Sequence, residues 1–118
     1  MTRTAILFAA ALAALSSAGP ALAADGAKTF QLQCKTCHGA KSTAIGPSLA
    51  GVAGRKIAGL SDFKYSAALT AKGGTWTDAS LDAYLAAPGK FAPGGRMFVA
   101  VSNPADRAAV AAYLKTLK

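Results

Sequence analysis

The chain has 118 residues, 53% of them hydrophobic, and carries 13 lysines and arginines against five acidic residues, a formal net charge of +8. Positive charge attracts nucleic acid, but these basic residues are scattered and form no run longer than Arg55-Lys56, which argues against a nucleic-acid-binding role. We expect acidic protein partners instead, and solvated lysines that only keep the protein soluble are the open alternative.

The N-terminal segment has the pattern of a secretory signal peptide. An apolar run over residues 5–15 follows a short basic start and leads into small residues. This run is about half as long as a membrane-spanning helix must be. We expect residues 1–23 to be cleaved, after Ala23 or Ala24, and 24–118 to form one periplasmic domain without stable membrane insertion. A retained N-terminal anchor is the alternative.

The first part of the mature chain predicts a helix that carries both cysteines. Apolar side chains recur at spacings of three and four between Gly26 and Cys37, at Ala27, Phe30 and Cys34. That periodicity predicts a helix with both thiols on its inner stripe.

A long loop and a short helix are predicted next. Five glycines lie between Gly39 and Ser61, too irregularly placed for a helix or strand, so this stretch is predicted to be a loop. Ser61 and Asp62 can cap a helix over Tyr65 to Ala71, which Gly73 and its neighbour would end by accepting positive φ.

Two further helices follow in chain order. Thr77 is a suitable N-cap for a helix with Leu81, Tyr84 and Leu85 on one face, stopped by Pro88. Asn103 and Pro104 are suitable first residues of the last helix. No useful strand-like alternation is present, so the fold class is all-α with long loops.

The strongest chemical signal is the pentapeptide Cys34-Lys35-Thr36-Cys37-His38. In a C-x-x-C-H motif, two thiols one helical turn apart can each add to a vinyl group of haem, and the adjacent imidazole reaches the iron. This motif predicts one covalently attached haem c, with Cys34 and Cys37 as attachment points and His38 as an iron ligand.

Two cysteines in one chain can also serve three other purposes. A thioredoxin-like redox pair needs an α/β setting that the sequence does not indicate. A structural zinc site needs four Cys or His ligands, whereas the chain has three such residues in total. A disulfide across two intervening residues would be strained and would leave His38 without a role.

The candidate for the sixth iron ligand is Met97. The chain has no second histidine, and its only other methionine is the initiator. A glycine-flanked loop suits a thioether that must reach the iron, although an ordinary core methionine remains possible. Ligation by His38 and Met97 would leave no coordination position for a substrate, which favours electron transfer over enzymatic catalysis.

The mature chain resembles the class I cytochromes c, the family of the mitochondrial protein and of bacterial cytochromes c2. The resemblance rests on landmarks in family order: Gly26, Phe30, the C-x-x-C-H motif, Gly46-Pro47-Ser48-Leu49, Gly54-Arg55-Lys56, Phe63-Lys64-Tyr65-Ser66, Trp76, Tyr84-Leu85, Pro93-Gly94-Gly95-Arg96-Met97 and Tyr113-Leu114-Lys115. It implies a cytochrome c fold of three to five short helices and long loops around one haem.

The resemblance also implies roles for individual residues around the haem. The Pro47 carbonyl should accept a hydrogen bond from the His38 ring, and Tyr84 should donate toward the Met97 sulfur. A further set should hydrogen-bond and shield the haem propionates, namely Arg55, Tyr65 and Trp76. Phe30 should pack on Tyr113 across the first and last helices.

Some positions depart from the family pattern. Leu69 and Gly95 stand where relatives place an asparagine and a threonine, and Val99 stands where an aromatic residue is usual. The expected function is a monomeric electron shuttle that docks on acidic faces of an oxidase, reductase or dehydrogenase, through basic residues such as Lys28, Lys90 and Arg96. Two alternatives stay open: a dedicated subunit of one periplasmic dehydrogenase or sulfur-oxidising enzyme, and a haem enzyme or gas sensor with an open iron site.

Overall fold

The computed structural model describes residues 19–118. The expected signal peptide therefore lies outside the described residues except for its last five, and its cleavage stays a prediction. The first described helix runs continuously through both expected cleavage positions, Ala23 and Ala24. Within residues 19–118, no helix is long and apolar enough to cross a membrane.

The described chain is helical, and the all-α prediction is confirmed. It contains five helices in this order: α1 Gly19–Gln33, α2 Ala67–Lys72, α3 Asp78–Ala86, α4 Pro88–Phe91 and α5 Pro104–Leu114. The only strand-like pairing in this part of the chain is a single antiparallel bridge between Lys56 and Thr75. The predicted long loop is present between α1 and α2.

The prediction that one helix carries both cysteines is wrong. Helix α1 ends at Gln33, and residues 34–37 form turns. The N–H groups of both Cys34 and Lys35 donate to the Phe30 carbonyl, so the helical ladder stops at this point. His38 is then held by a hydrogen bond from its N–H to the Cys34 carbonyl, at 2.9 Å.

Helix α2 begins later than predicted, because its N-cap is Ser66 rather than Ser61 or Asp62. The Ser66 hydroxyl accepts a hydrogen bond from the Leu69 N–H, at 3.2 Å. Asp62 instead accepts from the Ser42 hydroxyl in the long loop. The predicted glycine stop is present at Gly73, which has φ +69°.

The two later helices begin where the sequence indicates. Thr77 caps α3 through a reciprocal capping box with Ser80, and Asn103 caps α5 with Pro104 at its first position. Pro88 follows the end of α3 as predicted, but it also begins the short helix α4, which was not expected. Proline suits that place because the first N–H of a helix has no intrahelical partner.

The core lies between α1, α3, α5 and the loops that face them. The most extensive contact between helices is that of α1 with α5. Phe30 and Tyr113 meet across it with ring centroids 5.0 Å apart, the contact that the resemblance implies. Helices α1 and α5 therefore pack against each other along one side of the candidate site.

Candidate cofactor site

One cavity of about 300 Å³ brings the four central candidates together. Cys34, Cys37, His38 and Met97 all line it, although Met97 is 59 residues from His38 in the sequence. The remaining walls are mostly apolar and come from segments along most of the described chain, including Leu49, Val52, Leu69, Leu81, Leu85, Val110 and Leu114. The fold is thus arranged around this cavity.

The His38 ring is oriented by the loop that follows it. Its Nδ1 lies 2.9 Å from the carbonyl oxygen of Pro47, so an Nδ1–H can donate there and leave Nε2 with a free lone pair. Gly46 permits this close approach, because a Cβ at that position would lie 2.3 Å from the Cys37 carbonyl oxygen. Nε2 is thereby prepared to bind a metal.

The two cysteines differ in environment. Cys34 is buried, and that burial, followed by the charge of Cys37, raises the pKa of the Cys34 thiol. Cys37 is exposed, and both are free thiols. Within residues 19–118, no three His, Cys, Asp or Glu side chains converge as a metal-ligand cluster.

Met97 reaches the cavity from an otherwise exposed segment. Its side chain is half-buried against the core, while Arg96, Phe98 and Val99 beside it are exposed. The turn before it is closed by a hydrogen bond from the Gly95 N–H to the Ala92 carbonyl, at 3.0 Å. A thioether sulfur held in this way is a candidate ligand to iron.

Arg55 carries a buried donor that has no partner. Its two terminal nitrogens donate to the carbonyls of Ala50 and Ser48, at 3.0 and 3.1 Å, but its Nε is buried without a hydrogen bond. Burying such a group costs free energy unless an acceptor is supplied. Arg55 lines the cavity, so an acidic group of a bound cofactor can supply that acceptor.

The other residues assigned by resemblance also line the cavity. The Tyr65 hydroxyl accepts a hydrogen bond from the Leu60 N–H, at 3.4 Å. Trp76 and Tyr84 pack with ring centroids 5.1 Å apart. In the described residues no hydrogen bond joins Tyr84 to Met97, so that donation stays a prediction.

Phe91 packs against Trp76 and Tyr84 without lining the cavity itself, and the sequence pattern did not indicate this contact. Its ring stacks on Trp76 at 5.7 Å and meets Tyr84 at 5.3 Å. The Lys72 ammonium lies 4.3 Å from the centre of the same ring. Phe91 lies in helix α4, which the sequence pattern did not predict, and in none of the landmarks on which the family resemblance rests.

The cavity opens between exposed apolar side chains. Phe98 and Ile45 line it and are 88% and 70% exposed, values unusual for such large hydrophobic residues. Of the three predicted docking residues, Arg96 lines the cavity, whereas Lys28 and Lys90 are exposed on α1 and α4. The opening is therefore apolar with a positive charge beside it.

These features fit a haem c. Two free thiols stand next to an oriented imidazole, a thioether enters from a distant segment, and the walls are apolar. The unpartnered Arg55 Nε matches the need of a propionate for a donor. An apolar cavity with few polar groups is the usual form of a cofactor site.

The comparisons with known proteins agree with this geometry. A family model, Cytochrome c, matches residues 23–118. Cytochrome c2 iso-1 of Magnetospirillum molischianum is 50% identical over 91 residues, which cover 73% of this chain and 91% of that protein. Cytochrome c2 iso-2 of Magnetospirillum fulvum is 46% identical over 97 residues, which cover 80% of this chain and 100% of that protein.

A solved structure extends the agreement to the fold. Cytochrome cH from Methylobacterium extorquens superposes with a TM-score of 0.74 at 42% sequence identity, covering 80% of this chain and 97% of that chain. Sequence, fold and cavity lining thus lead to the same result, and the chain belongs to the class I cytochrome c family.

Proposed function

We propose that this protein carries single electrons through one haem c, attached to Cys34 and Cys37, with iron held between His38 and Met97. The observation that carries this proposal is the convergence of these four side chains on one apolar cavity. When bound, the haem supplies an iron centre that alternates between two oxidation states. The protein would supply its points of attachment, two ligands to the iron and its surroundings.

The surrounding residues support electron transfer rather than catalysis. His38 is fixed by Pro47, and Met97 would occupy the remaining position on the iron, so a substrate has no place to bind. The apolar walls limit water near the iron, and Arg55 would pair with a propionate through its buried Nε. No side chain is then required to accept a proton or to attack a substrate.

The proposed setting is the bacterial periplasm, with larger redox proteins as partners. The signal-peptide pattern supports export, and the excess of basic residues supports partners with acidic docking faces. Docking around the opening would bring Arg96 and the exposed Phe98 against the partner. A monomer is the proposed form.

The covalent attachment is tested by extraction. Purified protein is treated with acidified organic solvent, and the pigment should stay with the polypeptide because two thioether bonds hold it. A Cys37→Ala variant should retain one thioether and show an altered reduced spectrum. Release of all pigment from the unaltered protein would refute the attachment.

The docking role is tested with an acidic redox partner under increasing salt. We expect the bimolecular electron-transfer rate to fall as ionic strength rises, because salt screens the attraction between opposite charges. Arg96→Gln should weaken the salt dependence more than Lys56→Gln, since Lys56 does not line the cavity. A rate indifferent to salt would contradict charge-guided docking.

A further inference from the structure

Arg107 of α5 binds the main chain just beyond the Met97 segment. Its Nη1 donates to the carbonyls of Val101 and Ser102, at 3.0 and 2.9 Å. Its Nε forms an ion pair with Asp82 of α3, at 2.7 Å. The Arg107 side chain is only 13% exposed, whereas its partner Asp82 is 54% exposed, so the guanidinium is largely covered but the carboxylate is not.

The segment that holds Met97 has little support of its own. In the part of the chain that the structure describes, no hydrogen bond involves the main chain of residues 96–100. The Arg96 guanidinium donates to the Lys64 carbonyl, and the Gly95 N–H closes the preceding turn. On the C-terminal side of the segment, the first residue whose main chain forms a hydrogen bond is Val101.

Val101 is anchored from two directions. Its side chain is buried, and its N–H donates to the Leu85 carbonyl at the end of α3, at 2.8 Å. Its carbonyl accepts from Arg107. Since Val101 follows Met97 by only four residues, movement at this anchor is transmitted along a short tether to the methionine.

We propose that Arg107 is a positioning residue that keeps Met97 at the iron by fixing the main chain of Val101 and Ser102. This rests on the proposed ligation by Met97. Asp82 orients the Arg107 guanidinium. The carbonyls of Val101 and Ser102 accept charge-assisted hydrogen bonds from its Nη1. Loss of this anchor raises the fraction of molecules in which the thioether has left the iron.

The molecule offers a matched control. Lys115, the C-cap residue that follows α5, forms a second ion pair with α3, to Asp78 at 2.8 Å. The two pairs join the same helices and have the same charges, but the Lys115 pair touches no part of the Met97 segment. Arg107 is more buried than Lys115, so the closer comparison is between the acidic partners Asp82 and Asp78, which are both largely exposed.

The test uses the haem-loaded oxidised protein and imidazole, which competes with a thioether for iron. The affinity for imidazole reports the fraction of molecules in which the thioether has left the iron. The apparent dissociation constant of imidazole falls as that fraction rises. We expect Arg107→Gln to bind imidazole about tenfold more tightly than Lys115→Gln. The long-wavelength iron–sulfur band should also disappear at a lower temperature in Arg107→Gln.

A second pair of variants covers the case in which Arg107→Gln does not accumulate. Asp82 and Asp78 are both more than half exposed, so neither substitution threatens the core. Asp82→Asn should raise imidazole affinity about threefold relative to Asp78→Asn. Equal affinities within both pairs, or within this pair when only it can be measured, would overturn the role of Arg107.

If Met97 is not a ligand to the iron, the experiment gives a different result from the one that excludes the role of Arg107. Met97→Ala should bind imidazole far more tightly than every other variant and lack the long-wavelength band. If Met97→Ala leaves both properties unchanged, Met97 is not the ligand, and the proposed function fails at that point. If Met97→Ala behaves as expected but the matched pairs do not differ, only the positioning role of Arg107 is lost.

Discussion

Gly26 of α1 lies directly against the main chain of Ala109 in α5. A Cβ at Gly26 would lie 1.9 Å from the Ala109 carbonyl oxygen and 2.9 Å from the Cβ of Tyr113. Only glycine permits the two helices to cross at this distance. The same crossing brings Phe30 onto Tyr113 beside the cavity, so the helix contact and the cofactor site depend on each other.

Gly26→Ala should therefore destabilise the protein. The added methyl group forces α1 away from α5, and overpacking of this kind costs about 1–3 kcal/mol. The free energy of unfolding, measured with denaturant on the haem-loaded protein, checks this. Gly89→Ala is the control, because a Cβ there meets open space. Equal stabilities of the two variants would contradict the close crossing.

Arg55→Gln should lower the reduction potential. Reduction adds one negative charge to the site, and the guanidinium stabilises that charge from within the cavity wall. Its loss should lower the potential by on the order of tens of millivolts. Redox titration gives the value, and Lys56→Gln removes the same charge from an exposed position where solvent screens it. A shift no larger than that of Lys56→Gln would show that Arg55 does not act on the iron.

Tyr84→Phe should change how stability depends on alkaline pH. Burial raises the pKa of Tyr84 above its ordinary value, so the unfolded chain loses this proton at lower pH than the native protein. The stabilisation from keeping Tyr84 neutral is complete below about pH 10 and is lost as pH rises through the raised native pKa. Phenylalanine has no proton to lose.

The measurement is the free energy of unfolding of both proteins at about pH 8 and about pH 11. The unaltered protein should lose more stability between these values than Tyr84→Phe loses, since the other titrating groups are common to both. An equal loss in the two proteins would contradict the burial of the Tyr84 hydroxyl.

Local signals in the sequence predicted much of this fold. The caps of α3 and α5 were readable because Thr77 and Asn103 act through side-chain oxygens on N–H groups two or three residues away. The chain has one histidine and one methionine besides the initiator, so its composition alone limited the candidate iron ligands to His38 and Met97. The caps depend on contacts between residues close in sequence, and the candidate ligands depend on composition, so both could be predicted from the sequence.

Other features depend on contacts that a sequence pattern does not show. The spacing of three and four that continues through Cys37 is typical of a helical inner stripe, but Cys37 is exposed and α1 ends at Gln33, where the chain turns toward His38. Asp62 does not cap α2 because its carboxylate accepts a hydrogen bond from the hydroxyl of Ser42, twenty residues away. Arg107 belongs to no motif that the sequence indicates, and its contacts lie outside α5, with the carbonyls of Val101 and Ser102 and with Asp82, 25 residues away.

The absorption spectrum of the purified protein tests the central claim most directly. The account predicts a reduced spectrum with the sharp bands of a low-spin haem c, and a weak long-wavelength band in the oxidised protein that Met97→Ala abolishes. Carbon monoxide should bind slowly or not at all to the reduced protein at neutral pH. A colourless protein, or a coloured one that lacks the long-wavelength band and binds carbon monoxide readily, would contradict an iron held between His38 and Met97.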